Sequence, residues 1–242
     1  MTKLSSFFTT VPPLLQPYFT DECPLWEALG NTELIIEKIV TTKKERFTEI
    51  LAGVFVDRSV DIDKDIASNA VLIGPALILA GCKIRSSAFL RGNIIAGEGC
   101  VIGNSTELKN AILFDHVEAP HFNYVGDSIL GNYAHLGAGV ILSNFRLDKA
   151  PIVIKRKNGV PIDEPIHTGR QKFGAIIGDR VEVGCHSVLN PGTLLEKNLI
   201  VYPLSNIGGY YTQGFSFART AQSSISDATV STQPIPTTPL PS

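Results

Sequence analysis

Two histidines five positions apart, His116 and His121, lie downstream of Arg91, Glu107 and Lys109 and just ahead of Tyr124. These are the side chains whose types and spacing could do chemistry. An imidazole titrates near neutral pH and can take a proton from a reacting group. A carboxylate can hold such an imidazole in one orientation, or it can pair with a nearby lysine; Glu107 could do either. Arg91 and Lys109 are by themselves ordinary solvated charges. Two histidines can also share a zinc ion, but a catalytic zinc needs three protein ligands, and no histidine precedes His116. The cysteines Cys23, Cys82, Cys100 and Cys185 are scattered with no CxxC pair, which reads as reduced, intracellular thiols.

What must position these residues is a repeat. From Val60 every sixth position is apolar: Ile66, Leu72, Ile78, Ile84, Leu90, Ala96, Ile102, Leu108 and Phe114. A period of six fits neither a helix nor a simple alternating strand. It is the mark of a hexapeptide solenoid, in which three short strands close one triangular coil and the sixth residue fills the shaft. After Phe114 the count slips, with Pro120 in the expected apolar slot and His121 in the slip. It is recovered at Tyr124, Leu130, Leu136 and Leu142. A second break spans 143–175, where Asn158-Gly159 between two β-prone arms predicts a hairpin on a projecting loop. The repeat resumes at Ile177, Val183, Leu189 and Leu195 and fades beyond Tyr211.

The organisation expected is therefore an irregular and helical cap over 1–53, a solenoid over 54–211 and a C-terminal segment over 212–242. In the cap, Trp26, Leu29, Leu34, Ile35 and Ile39 give a helical stripe, with Asn31 as an N-cap for its second part. The cap should close an open end of the coil. From about residue 223 the chain is rich in Ser, Thr and Pro and reads as disordered. The composition suits a single solenoid domain: 242 residues, 44% hydrophobic, only 18% charged. A formal charge of −2 without a basic, aromatic-studded patch argues against nucleic acid. No signal peptide and no membrane-spanning run is evident, so the expected location is cytoplasmic.

Residues Val60 to Pro203 resemble the left-handed parallel β-helix acetyltransferases. The resemblance is strongest to the acetyltransferase half of bifunctional N-acetylglucosamine-1-phosphate uridyltransferase/glucosamine-1-phosphate acetyltransferase. It rests on Arg91, Glu107-Leu108-Lys109, His121-Phe-Asn-Tyr124-Val-Gly126-Asp127, Gly137-Ala138-Gly139 and Asn144, which fall in the family's order and spacing. Thr168 to Asp179 is similar to relatives with a longer loop and puts Lys172 on the family's loop lysine. The 59 residues ahead of Val60 are too few to hold the family's nucleotidyltransferase half, so this stretch is not expected to contain one.

The left hand of the coil is implied by this resemblance; twist alone favours right-handed crossovers. The resemblance also implies acetyl-CoA-dependent N-acetylation of a glucosamine-1-phosphate-like amino-sugar phosphate, on the way to UDP-GlcNAc, by a homotrimer with no metal. His121 would be the general base, Glu107 its orienting carboxylate, and a backbone N–H at Ala138 the oxyanion donor. Arg91, Lys109, Tyr124, His135 and Lys172 would bind the substrate, and Ala138, Asn144, Phe145 and Cys185 the coenzyme. Two departures stand out: His135 replaces an asparagine and Phe145 a tyrosine. Arg219 would stand in for a basic C-terminal arm. Two alternatives remain on the same fold. One is a non-catalytic sugar-nucleotide-binding or assembly module. The other is a γ-class carbonic anhydrase built on His116 and His121, which lacks its third ligand.

Overall fold

A computed structural model describes residues 3–214; Arg219 and the Ser/Thr/Pro-rich stretch lie outside the described residues. The chain is mainly β and forms a left-handed parallel β-helix. One face of the triangular shaft stacks Val54–Asp57, Ala76–Ile78, Ile94–Ala96, the second half of Glu107–Leu113, the second half of Tyr124–Leu130, Ala175–Ile177, Thr193–Leu195 and Tyr210–Tyr211. A second face stacks Lys83–Ile84, Val101–Asn104, Glu118–His121, His135–Leu136, Glu182–Val183 and Ile200–Val201. The third carries Val71–Ile73, Phe89–Arg91, the first halves of Glu107–Leu113 and Tyr124–Leu130, Ile141–Leu142, Val188–Leu189 and Asn206–Ile207. Ile78, Ile84, Leu90, Ala96, Ile102 and Leu108 are buried in one continuous shaft core, as the period of six requires.

The slip in the repeat comes one residue earlier than the count predicts. After Leu108 the next shaft residue is Leu113, five positions on; Ala119 and Val125 follow at six, and Leu130 again at five. Phe114 points outward into a second core, Ala119 rather than Pro120 fills the next slot, and Tyr124 stands outside the shaft beside Val125. Both members of Leu113-Phe114 and of Tyr124-Val125 are bulky enough to fit the pattern, which is why counting mistakes the register there. The coil itself is shorter at these points. Ala76 pairs with Ile94, eighteen residues on, whereas Ile94 pairs with Ala111 and Ala111 with Ser128, each seventeen on. With one corner residue missing, Glu107–Leu113 and Tyr124–Leu130 run as single long strands across two faces.

The N-terminal segment lies along the side of the shaft, not across its end. The helix Thr32–Thr42 packs on the first face at Ala76–Ile78, Ile94–Ala96 and Glu107–Leu113. Ile35, Ile36 and Ile39 are buried against Leu77, Ile95 and Ile112, while Leu34 is exposed. Asn31 precedes the helix, but its side-chain amide donates to the Glu27 carbonyl and does not cap. Trp26 and Leu29 sit on a 3-10 turn, Leu25–Gly30. The first residues, expected to be irregular, supply Phe7, Phe8, Leu15 and Phe19 to the same core. Strand Phe47–Leu51 pairs antiparallel with Val54–Asp57 and so extends the sheet into the stretch read as cap.

The inserted loop forms the expected hairpin, Val153–Lys157 against Val160–His167, with Lys157 opposite Val160. Asn158 and Gly159 both have positive φ, 51° and 77°, as a two-residue turn of this kind needs. It folds back onto the shaft: the Asn158 amide donates to the Tyr210 carbonyl, and Ile152 and Ile154 are buried in the second core. Helix, N-terminal strap and hairpin thus share the first face.

Phe114 holds that cover at its centre, with its ring 4.6 Å from that of Phe8 and 5.1 Å edge-on to Phe19. Phe114→Ala should cost about 3–5 kcal/mol in urea unfolding and make the chain ahead of Phe47 the first site of limited proteolysis. Leu34→Ala should leave both unchanged.

Candidate functional site

Most of the sequence-selected residues gather on the third face and at the corners that flank it, while His135 stands on the second face. Phe89, Glu107 and Tyr124 are in register on adjacent coils, as are Lys109 and Gly126, so Arg91, Glu107, Lys109 and Tyr124 belong to one wall. Arg91 Nη1 lies 3.3 Å from Glu107 Oε1. Lys109 Nζ sits 2.9 Å from both carboxylate oxygens of Asp127, which also accepts from Asn110 Nδ2 at 2.8 Å and from the Asn144 amide. Asp127 is almost fully buried, so a hub of three donors satisfies its charge.

Local backbone explains why the hub is there. Asn93, Asn110 and Asp127 stack at the corner leaving this wall, with φ of 56°, 50° and 45°. Among side-chain-bearing residues Asn and Asp tolerate this left-handed region best. Gly126 is required by a close approach: a Cβ there would stand 2.6 Å from Asn144 Nδ2 and 2.7 Å from the Tyr124 hydroxyl. Burial raises the Tyr124 phenol, and the nearby Glu107 and Asp127 carboxylates push the same way, so it stays protonated and can donate.

His121 ends the strand Glu118–His121 at the other corner of the wall, exposed to solvent. Its carbonyl accepts from the Gly139 amide, and its amide donates to Asn123 Oδ1. The next residue, Phe122, has φ of 38° and is half-exposed, an unusual backbone for an aromatic residue and a local strain beside the candidate base. The following coils place Ala138 and then Cys185 at the same corner, where His186 donates its amide to the Ala138 carbonyl. The Gly137 and Gly139 amides are both engaged, whereas the Ala138 N–H has no acceptor among the described residues. Cys185 is exposed and reduced, and Cys23, Cys82 and Cys100 are likewise unpaired.

The expected contact between Glu107 and His121 is not made. Glu107 is drawn to the Arg91 guanidinium, and no carboxylate approaches the His121 ring within ion-pair distance among the described residues. The pairing of imidazole and carboxylate occurs elsewhere: His135 Nδ1 is 3.0 Å from Glu118 Oε2 on the second face. Spacing gave no hint of this, because Glu118 and His135 meet only across adjacent coils. The motif includes Asp127 but gives it no role, and Glu118 lies outside the motif. His116 does not meet His121 either. It stacks on Tyr133 at 4.7 Å, at the corner where the strand Glu118–His121 begins. Lys172 pairs across an isolated bridge with Phe145 and sets its ammonium 5.9 Å over that exposed ring, while the Asn144 carbonyl accepts from the Phe173 amide. No described helix is long and apolar enough to cross a membrane.

Asp127→Asn keeps a residue suited to positive φ but strips the Lys109 ammonium of its counter-charge. It should destabilise the chain by about 2 kcal/mol in urea unfolding. Asp148→Asn, which breaks the exposed pair with Arg146, should produce no measurable shift.

Residues 72–207 match the family model described as the GMPPB C-terminal domain. The chain is 31% identical over 190 residues to the bifunctional protein GlmU of Methanococcus maripaludis (strain DSM 14266), covering 77% of this chain and 44% of that protein. It is 32% identical over 199 residues to the uncharacterized acetyltransferase YaiX of Escherichia coli O6:K15:H31, covering 80% of this chain and 84% of that one. It spans less than half the length of the bifunctional relatives, 26% to 45%. The solved acetyltransferase domain of PglB from Neisseria gonorrhoeae with acetyl coenzyme A covers 78% of this chain and is covered over 64% of its own. Its TM-score of 0.29 and 14% identity make that likeness too slight to bear on the chemistry.

Proposed function

Because this chain belongs to the GMPPB C-terminal domain family and to the hexapeptide-repeat acetyltransferases, we propose that it N-acetylates an amino-sugar phosphate with acetyl-CoA. The observation that carries the reading is one wall that bears Arg91, Lys109 and Tyr124, bounded by His121 at one corner and Asn144 at the other. Three cations, Arg91, Lys109 and Lys172, stand near two carboxylates, Glu107 and Asp127, which leaves an excess of positive charge for a phosphate. Glu107 serves in this reading as the partner that orients the Arg91 guanidinium, and the protonated Tyr124 donates to the sugar.

The amine nitrogen attacks the thioester carbonyl while His121 takes a proton from it. The oxyanion forms against the free Ala138 N–H, and collapse breaks the C–S bond. His121 then returns its proton to the departing thiolate. In this reading Cys185 at this corner, and Asn144 with the exposed Phe145 ring at the opposite corner of the wall, hold the coenzyme. His121 is exposed and has no carboxylate partner among the described residues, which favours a homotrimer in which a neighbouring shaft completes the site. A cytoplasmic enzyme feeding UDP-GlcNAc synthesis fits this chemistry.

Thiol release from acetyl-CoA with glucosamine-1-phosphate tests the reading. His121→Ala should lower kcat/KM by about 100-fold or more, and a loss below about tenfold would remove the histidine from the base role. Arg91→Ala should raise KM for the sugar phosphate and leave kcat nearly unchanged. Binding of a nucleotide sugar with no thiol release would favour the non-catalytic module. Sedimentation of the active species should give a trimer; an active monomer would be incompatible with a shared site.

A further inference from the structure

On the second face three ionisable side chains stand in register on successive coils, Glu118, His135 and Glu182. With the Nδ1–H of His135 donated to Glu118, its Nε2 keeps a lone pair free to accept a proton. This is the oriented base that His121 lacks. Glu118 and His135 are in part exposed, and burial raises the Glu182 carboxyl, with the nearby His135 opposing that shift and Glu118 adding to it. At the preceding corner stand the His116 and Tyr133 rings, with the Arg180 guanidinium over the latter. His121 ends the strand that Glu118 begins, about 10 Å along it.

Transfer to an amine involves two protons. A sugar amine arrives largely as its ammonium, must lose one proton before its lone pair can attack, and loses a second as the amide forms. The His121 cycle accounts only for the second, because that proton ends on the thiol. We propose that His135, held by Glu118, is a second proton acceptor of the reaction and takes the first proton from the acceptor's ammonium. The inference rests on the reading of acetyl transfer to an amine.

The step balances. The ammonium N–H breaks and its proton moves to His135 Nε2; the freed amine forms the N–C bond; His121 carries the second proton to the thiolate as C–S breaks. His135 then passes its proton to water, so each turnover yields one amide, one free thiol and one released proton. The two carboxylates that flank His135 draw the cationic amine to this face, and Glu118 is a positioning residue. A neutral amide at residue 135 could contact the sugar but could not accept the proton.

The pH dependence of kcat/KM for the full chain, with acetyl-CoA and glucosamine-1-phosphate, tests this. His135→Asn should lower kcat/KM about tenfold near pH 6 and by no more than about twofold near pH 9, where the acceptor amine is already free. Its acid limb should move up towards the ammonium pKa of the acceptor itself. Glu118→Gln should shift the same limb by less, and His121→Ala should lose activity at every pH. A His135→Asn loss that is the same factor across the range marks a packing or binding role and overturns the proposal, as does an unchanged profile. A native chain that releases no thiol with any amine sinks the acetyl-transfer reading itself, whereas an active native chain with a flat His135→Asn ratio sinks only this inference.

Discussion

The structure depends on coil-to-coil register. Each coil must drop its apolar residue into the shaft and at the same time meet the backbone donors and acceptors of the coils on either side. With those two requirements met, every outward side chain has a fixed neighbour above and below. Charges about one coil apart in the sequence become partners, as Arg91 and Glu107 are across sixteen residues and Lys109 and Asp127 across eighteen. The site is a product of this stacking. Where the coil shortens by one residue, the chain straightens across two faces, and the left-handed corner of Asn110 and Asp127 closes over the wall.

The distribution of cover and polar groups follows. Phe7, Phe8, Leu15, Trp26, Ile35 and Ile36 and, from the inserted segment, Ile152 and Ile154 pack on the first face, while Leu34 and Val160 stay exposed. The second and third faces carry ionisable groups, Glu118, His135 and Glu182 on one and Arg91, Glu107 and Lys109 on the other, alongside the exposed Ile200, Val71 and Ile73. Phe122, Tyr202 and Leu204 are exposed near the corner of His121 and Cys185, so this edge of the shaft is both apolar and chemically equipped. The hairpin looked in the sequence like an arm reaching outward. Its buried Ile152 and Ile154, and the Arg170–Glu27 pair, make it instead part of the chain's own packing.

The fold was legible because a period of six has few structural meanings, and the shaft positions from Ile78 to Leu108 and from Ile177 to Leu195 are where counting puts them. Register at Phe114 and Tyr124 was not legible, since each has an apolar neighbour that fits equally well. The wall of Arg91, Lys109, Tyr124 and Asn144 could be read from a motif. Its wiring could not: Glu107 chooses Arg91 over His121, and Asp127 gathers three donors, because of which atoms the coils bring within reach. The lateral packing of the first residues was also hidden. Their prolines argue against helix, and nothing local tells an irregular strap that is buried from one that is loose.

The strap changes how such a shaft comes apart. A bare solenoid is close to a one-dimensional stack in which ends fray and neighbours alone communicate. Here the Ser6 and Phe7 carbonyls accept from the Lys197 and Asp179 amides, the Thr10 carbonyl accepts from Asn132, and the Phe7 ring stacks on Tyr210 at 6.0 Å. The helix that follows rides on coils near residues 76 to 113. Residues 6–10 therefore find their partners only once coils far downstream in the chain exist, and coils far apart along the axis are fastened by one segment. Unfolding should then be a single cooperative event for the described chain, with the stretch ahead of Phe47 acting as the clasp that closes last.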